Sequence, residues 1–248
     1  MTLQEFFVRH PRVALGFSGG VDSSYLLYAA IRAGAAIRAY YVKSPFQPAF
    51  ELADARRLAE ELGADLQVLE ADPLEDPQVA ANPQNRCYFC KIQIFSRIQA
   101  AARADGFPVL LDGTNASDDV SDRPGFRALQ ELEVLSPLRL CGLTKPEIRR
   151  LSREAGLFTW DKPAYACLAT RIPTGVPITR EHLAKTEAAE AALFALGFRD
   201  FRVRWLDGRA RLQLREEQLP LALENRARLL EALRPYYSEI LLDLEVRP

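Results

Sequence analysis

Val13-Ala14-Leu15-Gly16-Phe17-Ser18-Gly19-Gly20-Val21-Asp22-Ser23-Ser24 is the most informative stretch of the chain. Its first five residues read as a buried strand, and the paired glycines permit a sharp turn. Residues 22–33 have the period and length of a helix ending near Gly34. Strand, turn and helix in direct succession aim free backbone N–H groups and the positive end of the helix dipole at one point, which suits an anion. The turn lacks Gly-Lys-Ser/Thr, so it would cradle phosphates without the lysine of a Walker loop. Asp22 is positioned to hold Mg²⁺ against them, because a hard cation on phosphates takes one or two carboxylates as well. The plainer alternative is a turn whose Ser and Asp only cap the helix.

Outward from this unit, residues 37–42 form a second strand, 47–62 a helix stopped at Gly63, and 66–69 a third strand. The alternation predicts an α/β fold with a doubly wound parallel sheet. A polar, Pro-containing segment over 72–85 leads to a helix over 87–104, a strand over 109–111 and a long acidic loop over 112–125. Long loops inside compact domains are often functional. Residues 144–156 read as a helix with Thr144 as N-cap and Gly156 at its end.

Residues 158–179, with Pro163, Pro173, Gly175 and Pro177, show no period, and the expected boundary falls there, dividing 1–170 from 171–248. Beyond it lie a helix over 181–196, strands 201–206 and 209–214 joined through Asp207-Gly208, a helix over 216–233 and a strand over 239–246. Asp-Gly between alternating runs marks a hairpin, so this half reads as a small α+β domain.

The bulk numbers narrow the function classes. Lys and Arg total 32 against 33 Asp and Glu, so the broad basic excess of a phosphate-neutralising nucleic-acid binder is absent, and nucleic acid is not the expected partner. No run of 18 apolar residues occurs and the first residues lack the pattern of a signal peptide, so no membrane association is expected and the expected location is cytoplasmic. Four cysteines in 248 residues are too few for a disulfide framework and read as ligands, reactants or core filler.

Cys87 and Cys90 form a CxxC at an expected helix start, where the dipole favours thiolates that can share one soft metal centre. Cys167 supplies a third thiol, and three thiolates suit an iron–sulfur cluster with one open iron. Cys141 reads as core filler. A structural Zn²⁺ site remains open, with Cys141, His10 or His182 as fourth ligand, as does a thioredoxin-type redox pair. Asp112-Gly113-Thr114-Asn115, at a strand end, is well placed to contact nucleotide. Asp112, Asp118, Asp119 and Asp122 equally suit a solvated loop with Asx turns.

Ser18 to Ser24 carries the SGGVDSS signature of the PP-loop ATP pyrophosphatases, which include GMP, NAD and asparagine synthetases and several tRNA thiolases. The strings Asn82 to Lys91, Asp112 to Asp119 with Asp122 to Gly125, and Ala166 to Pro173 narrow the match. With the loop they resemble the LarE family of sulfurtransferases over nearly the whole chain. The resemblance implies ATP and Mg²⁺ bound at Ser18, Gly19, Gly20, Val21, Asp22, Ser23 and Ser24, adenylation of a carboxylate of a pyridinium mononucleotide, and its conversion to a thiocarboxylate for a nickel-pincer cofactor.

In one branch of that family the cysteine matching Cys167 gives up its own sulfur; in another, three cysteines hold a 4Fe-4S cluster that carries sulfide. Cys87, Cys90 and Cys167 together are similar to the second branch, which needs a separate sulfur donor. The same resemblance assigns Cys167, Asp22 and Arg171 to the chemistry, and Glu190, Arg202 and Arg204 to the substrate's phosphate and carboxylates. Forked guanidiniums on alternate residues of one strand suit those groups, although a surface charge ladder has the same pattern. Family members often assemble, so a homo-oligomer is compatible. The rivals are a PP-loop tRNA thiolase and a non-catalytic nucleotide- or metal-binding regulator.

Overall fold

A computed structural model of the chain describes residues 1–119 and 124–247. The chain divides into two compact units, Met1–Pro73 with Asn85–Lys162, and Leu74–Gln84 with Pro163–Pro248.

The first unit opens with helix α1 (Leu3–Arg9), whose Thr2 and Glu5 form a reciprocal capping box. Strand β1 (Arg12–Gly16), helix α2 (Val21–Arg32), strand β2 (Ala36–Lys43), helix α3 (Ala49–Leu62) and strand β3 (Asp65–Glu70) follow. Helix α4 (Pro77–Ala80) belongs to the second unit. The first unit resumes with α5 (Arg86–Ala104), β4 (Val109–Leu111), α6 (Pro124–Glu131), α7 (Pro137–Leu140) and α8 (Lys145–Glu154). Gly63 stops α3 in the left-handed conformation, at φ +61°, which only glycine adopts at no steric cost.

The four strands are parallel in the order β3-β2-β1-β4, with Leu15 paired to Ala39 on one side and Leu111 on the other. Successive residues of β1 face opposite ways. Val13 and Leu15 pack with Leu26, Leu27 and Leu58, while Ala14 packs with Tyr40, Ile98 and Leu110. Burial on both faces explains why β1 is apolar from Val13 to Gly16 rather than alternating. The strand order reverses between β1 and β4, and open α/β sheets bind ligands beyond the carboxyl ends of the strands flanking such a point.

The second unit contains α4, a 3₁₀ turn (Leu168–Arg171), α9 (Arg180–Ala195), β5 (Arg202–Leu206), β6 (Arg209–Gln213), α10 (Leu219–Glu224), α11 (Arg226–Leu233) and β7 (Ile240–Leu242). β5 and β6 are an antiparallel hairpin whose Asp207 and Gly208 both have positive φ, as a type I′ turn requires, and β7 joins β6 in parallel. Val203, Ala210 and Leu212 pack against Ala189, Leu193, Leu229 and Leu233.

Three features differ from the sequence expectation. The helix expected over 216–233 is interrupted at Asn225, whose side-chain amide donates back to the Leu221 carbonyl at 2.9 Å and which stands at the N-cap position of α11 without a side-chain cap bond. Helices α6 and α7, of 8 and 4 residues, are too short to give a periodic signal. The units divide after Lys162 rather than after residue 170, and residues 74–84 join the second. Asn82 explains the latter: its Nδ2 donates to the Pro173 and Val176 carbonyls at 2.8 and 3.0 Å, and its carbonyl accepts from Gly175 N–H at 2.9 Å. Among the described residues no helix is long and apolar enough to cross a membrane.

Candidate active site

The Ser18–Ser24 loop leaves the carboxyl end of β1 and enters α2 with Gly20 as N-cap, so no side chain covers the first N–H groups of the helix. Gly19 sits at φ +69°, and a Cβ built on it would lie 3.3 Å from Ala55 of α3, so both conformation and space call for glycine. The Ser18 and Ser23 hydroxyls are 3.1 Å apart, and Ser23 Oγ donates to the Gly20 carbonyl at 3.2 Å. Ser24 is fully buried, and its hydroxyl has no hydrogen-bond partner among the described residues. Val21 is buried in the core cluster.

Asp22, on the first turn of α2, is bound by the Lys145 ammonium from the start of α8 and lies 3.4 Å from Asn115 Nδ2. Burial pushes its carboxyl above the usual carboxylate range, against the opposing pull of Lys145. Behind the loop, Lys162 Nζ bonds the Gly19 carbonyl at 3.2 Å and Asp54 at 2.6 Å. Arg149 in turn grips the Trp160 and Lys162 carbonyls at 2.6 and 2.9 Å. Neither lysine stands out in the sequence; the one available clue to Lys145 is its position directly after the Thr144 cap of α8.

Asp112, Gly113, Thr114 and Asn115 follow β4 and pack directly on the loop. A Cβ on Gly113 would lie 3.1 Å from Ser23 N and 3.4 Å from Asp22 Cβ. The buried Asp112 carboxylate is bound by Ser136 Oγ at 2.6 Å and by the Thr114 hydroxyl, so it braces this contact from below. Asp118 accepts from Asn115 N–H at 3.0 Å, and Arg139 holds the Asp118 carbonyl at 2.9 Å. Asp119 is exposed, and Asp122 lies outside the described residues.

Cys87 and Cys90 occupy the first turns of α5, Cys87 exposed and Cys90 half-buried, and no disulfide joins any of the four cysteines. Arg86 Nη2 approaches Cys87 Sγ at 3.7 Å. Cys141 packs against the first core cluster, and burial raises its thiol pKa, as befits core filler. Cys167 belongs to the second unit and the CxxC to the first. Among the described residues no three His, Cys, Asp or Glu side chains are gathered as a metal site.

In the second unit, the Cys167 carbonyl accepts from Thr170 N–H at 3.0 Å and Thr170 Oγ1 at 2.8 Å, which closes the tight turn after it. Arg171 is 1% exposed. It forks onto both Glu190 oxygens at 2.8 and 3.0 Å and also bonds the Ala166 carbonyl at 2.8 Å and Thr170 Oγ1 at 2.9 Å. Burial opposes its charge, and Glu190 more than restores it, leaving Arg171 above its ordinary pKa. Glu190 takes two further donors, Tyr165 OH and Val203 N–H. Arg202 bonds the Ala164 and Phe201 carbonyls at 2.5 and 2.6 Å; Arg204 bonds the Thr170 carbonyl at 2.7 Å and the Gln213 side chain. Arg171, Glu190, Arg202 and Arg204 are therefore one network that frames the Cys167 turn.

Residues 7–120 match the asparagine synthase family. An uncharacterized protein of Synechocystis is 37% identical over 218 residues, 88% of this chain and 81% of its own length. The pyridinium-3,5-bisthiocarboxylic acid mononucleotide synthase of Lactiplantibacillus plantarum is 34% identical over 210 residues, 84% of this chain and 76% of its own. A tRNA-specific 2-thiouridylase of Thermotoga maritima is 23% identical, over 59% of this chain and 52% of its own. With the bare-ended loop at the β1–β4 switch point and a 34% identical relative spanning both units, the chain belongs to the LarE family of the PP-loop superfamily.

Proposed function

We propose that the protein is an ATP-dependent sulfurtransferase that adenylates a carboxylate of pyridinium-3,5-biscarboxylic acid mononucleotide and converts it to a thiocarboxylate. The observation that carries this reading is the uncovered start of α2 beside Asp22, a phosphate cradle with a carboxylate at its edge. The uncapped N–H groups of the first turn of α2, within the Ser18–Ser24 loop, hold the pyrophosphate end of ATP. Asp22 would hold Mg²⁺; one partly exposed carboxylate fits a cation that takes most of its ligands from phosphates and water. The substrate carboxylate attacks the α-phosphorus, the bond to the β-phosphate oxygen breaks, and pyrophosphate leaves. A sulfur nucleophile then attacks the acyl carbon and AMP departs, a route that replaces a poor leaving group with a good one.

Cys87, Cys90 and Cys167 are the proposed ligands of a 4Fe-4S cluster. A CxxC on the first two turns of a helix, with Cys87 exposed and Cys90 half-buried, fits two corners of such a cluster, and the half-buried Cys167 offers the third. Bound there, the cluster supplies an iron without a protein ligand that can hold sulfide. Arg171 fixes the backbone of the Cys167 turn, and Arg202 and Arg204 meet the substrate's phosphate and carboxylates, held in place by Glu190 through Arg171 and β5.

Incubation with ATP, Mg²⁺, sulfide and the mononucleotide, beside bulk tRNA, tests the assignment. Pyrophosphate release with sulfur appearing in the mononucleotide is expected; sulfur in tRNA alone, or no pyrophosphate, refutes it. Asp22→Ala should abolish pyrophosphate release while the circular dichroism stays native. Iron content after anaerobic reconstitution tests the cluster, and stoichiometric zinc without iron would overturn it. Loss of roughly one sulfur from the protein mass per turnover would instead assign the sulfur to Cys167 itself.

A further inference from the structure

The start of α5 carries more than its two cysteines. Tyr88 N–H bonds the Asn85 carbonyl at 2.9 Å and closes the first turn, and the buried Arg86 brings Nη2 to 3.7 Å from Cys87 Sγ. Helix α6 runs beside it. Leu129 of α6 shares a core cluster with Ile98 and Ala102 of α5, and Gln99 Nε2 donates to the Leu132 carbonyl at 3.1 Å, so the two helices are fixed to each other beyond the cysteines.

At the cysteine end the contacts become specific. A Cβ built on Gly125, in the first turn of α6, would lie 3.2 Å from Lys91 Cδ and 3.7 Å from Cys87 Cβ. The backbone of α6 therefore comes directly against the helix face that Cys87 and Lys91 share. Tyr88, between the two cysteines, is gripped from α6 twice. Its hydroxyl donates to Glu131 Oε2 at 2.5 Å, and the Arg127 guanidinium lies 4.1 Å over its ring. Arg127 and Glu131 are themselves paired at 3.3 Å, one helical turn apart, so the three side chains close a ring of contacts.

Residues three apart on a helix hold their Cβ atoms about 5–6 Å apart, whereas a disulfide needs about 3.5–4.5 Å. Cys87 and Cys90 can close on each other only if the turn between them gives, and Tyr88 lies in that turn. Movement there must break the grip of α6.

We propose that α6 is the clamp of the CxxC. Arg127 and Glu131 are positioning residues that act through Tyr88 to hold Cys87 and Cys90 as two separate thiols, able to share one soft metal centre, and to oppose their closure to a disulfide. The purpose of the clamp rests on the cluster reading above, while its action is a property of the metal-free chain.

The test equilibrates the whole metal-free chain in glutathione buffers of graded redox poise. Glutathione disulfide takes two electrons and two protons from the thiols and leaves as two glutathione molecules; alkylation and mass spectrometry of the peptide bearing Cys87 and Cys90 give the closed fraction. Glu131→Ala removes both the acceptor of Tyr88 and the partner of Arg127. It should shift the equilibrium toward the disulfide about three- to tenfold, the worth of an exposed ion pair with an adjoining hydrogen bond. Glu131→Gln keeps an acceptor for the Tyr88 hydroxyl and should recover much of the difference, and Tyr88→Phe should move in the same direction as Glu131→Ala. Glu154→Ala, which breaks a comparably exposed pair with Arg150 on α8, should match the wild type. Equal equilibria in the wild type and Glu131→Ala overturn the proposal. So does an equal shift in Glu154→Ala, which marks a general charge effect, or a pair that stays open in every chain in glutathione disulfide alone. Iron reconstitution that yields no cluster, with the shift in Glu131→Ala intact, overturns the cluster reading and leaves the clamp standing.

Discussion

Replacing Arg171 by Met tests whether the network around the Cys167 turn is held by one buried ion pair. The two side chains are 0% and 2% exposed, so almost no water remains to solvate Glu190 once the guanidinium is gone. Glu190 keeps Tyr165 OH and Val203 N–H but loses both charged donors, and the Ala166 carbonyl and Thr170 hydroxyl each lose a partner. Removing one partner of a buried pair costs about 3–5 kcal/mol, because an uncompensated charge stays behind. For a cooperative unit of about 100 residues, the size of the second unit, that lowers its melting temperature by roughly 12–40 °C.

The companion variant is Arg171→Met with Glu190→Gln. It removes the charge as well as its partner and should recover part of the loss, since a neutral pair leaves no buried ion. Thermal melting followed by circular dichroism measures all three chains. Because the chain has two compact units, the transition assigned to the second should move while that of the first stays in place. A loss below about 1 kcal/mol for the single variant, or a double variant no more stable than Arg171→Met alone, would refute the idea of a buried charge left behind.

Gly113→Ala forces a methyl to within 3.1 Å of Ser23 N, so the Asp112–Asn115 segment must back away from the phosphate loop; ATP affinity should fall about tenfold with little change in melting temperature, measured by nucleotide titration. Lys162→Met frees the Gly19 carbonyl and strands Asp54, and the Michaelis constant for ATP should rise about three- to tenfold while the maximal rate changes less, as steady-state pyrophosphate release would report. Tyr40 donates to Asp105 at 2.7 Å, and burial followed by that bond pushes its pKa up to about 12 from an ordinary 10. A raised folded-state value gives stability that is complete below pH 10 and lost between pH 10 and 12, so denaturant melts of Tyr40→Phe should lack that part of the alkaline decline shown by the wild type.

Where local physics and global fold coincide, the sequence is readable. β1 and β2 show apolar runs because both faces of the sheet are covered, and Gly63 and Gly156 mark helix ends because their positive φ excludes side chains. The glycines of the loop announce an anion site for the same reason. Lys145 and Lys162 were not legible: each acts on a group more than a hundred residues away, Asp22 and Gly19 respectively, and no local pattern encodes such a contact. The single helix expected over 216–233 fails for a smaller cause, since Asn225 satisfies its side chain on the preceding turn and ends it. Arg171 lies in the Ala166–Pro173 string and Glu190 enters only through the family resemblance, and their reciprocal burial, which makes them a scaffold for the Cys167 turn, has no signature in composition or spacing.

The detour of residues 74–84 into the second unit also sets a timetable for synthesis. Asn82 and Ala80 emerge from the ribosome long before the backbone of Pro173, Gly175, Val176 and Ile178 that they bond. At about 5–20 residues per second the intervening stretch takes roughly 5–20 s to appear. Throughout that interval β3 can pair with β2 and α5 can pack on β1 and β2 within the first unit, while the loop between β3 and α5 hangs without its partners. The second unit is thus finished by the first unit's own excursion. A fragment beginning at Pro163 would lack the strip of chain that closes it, and supplying residues 74–84 as a separate peptide should restore compactness to such a fragment.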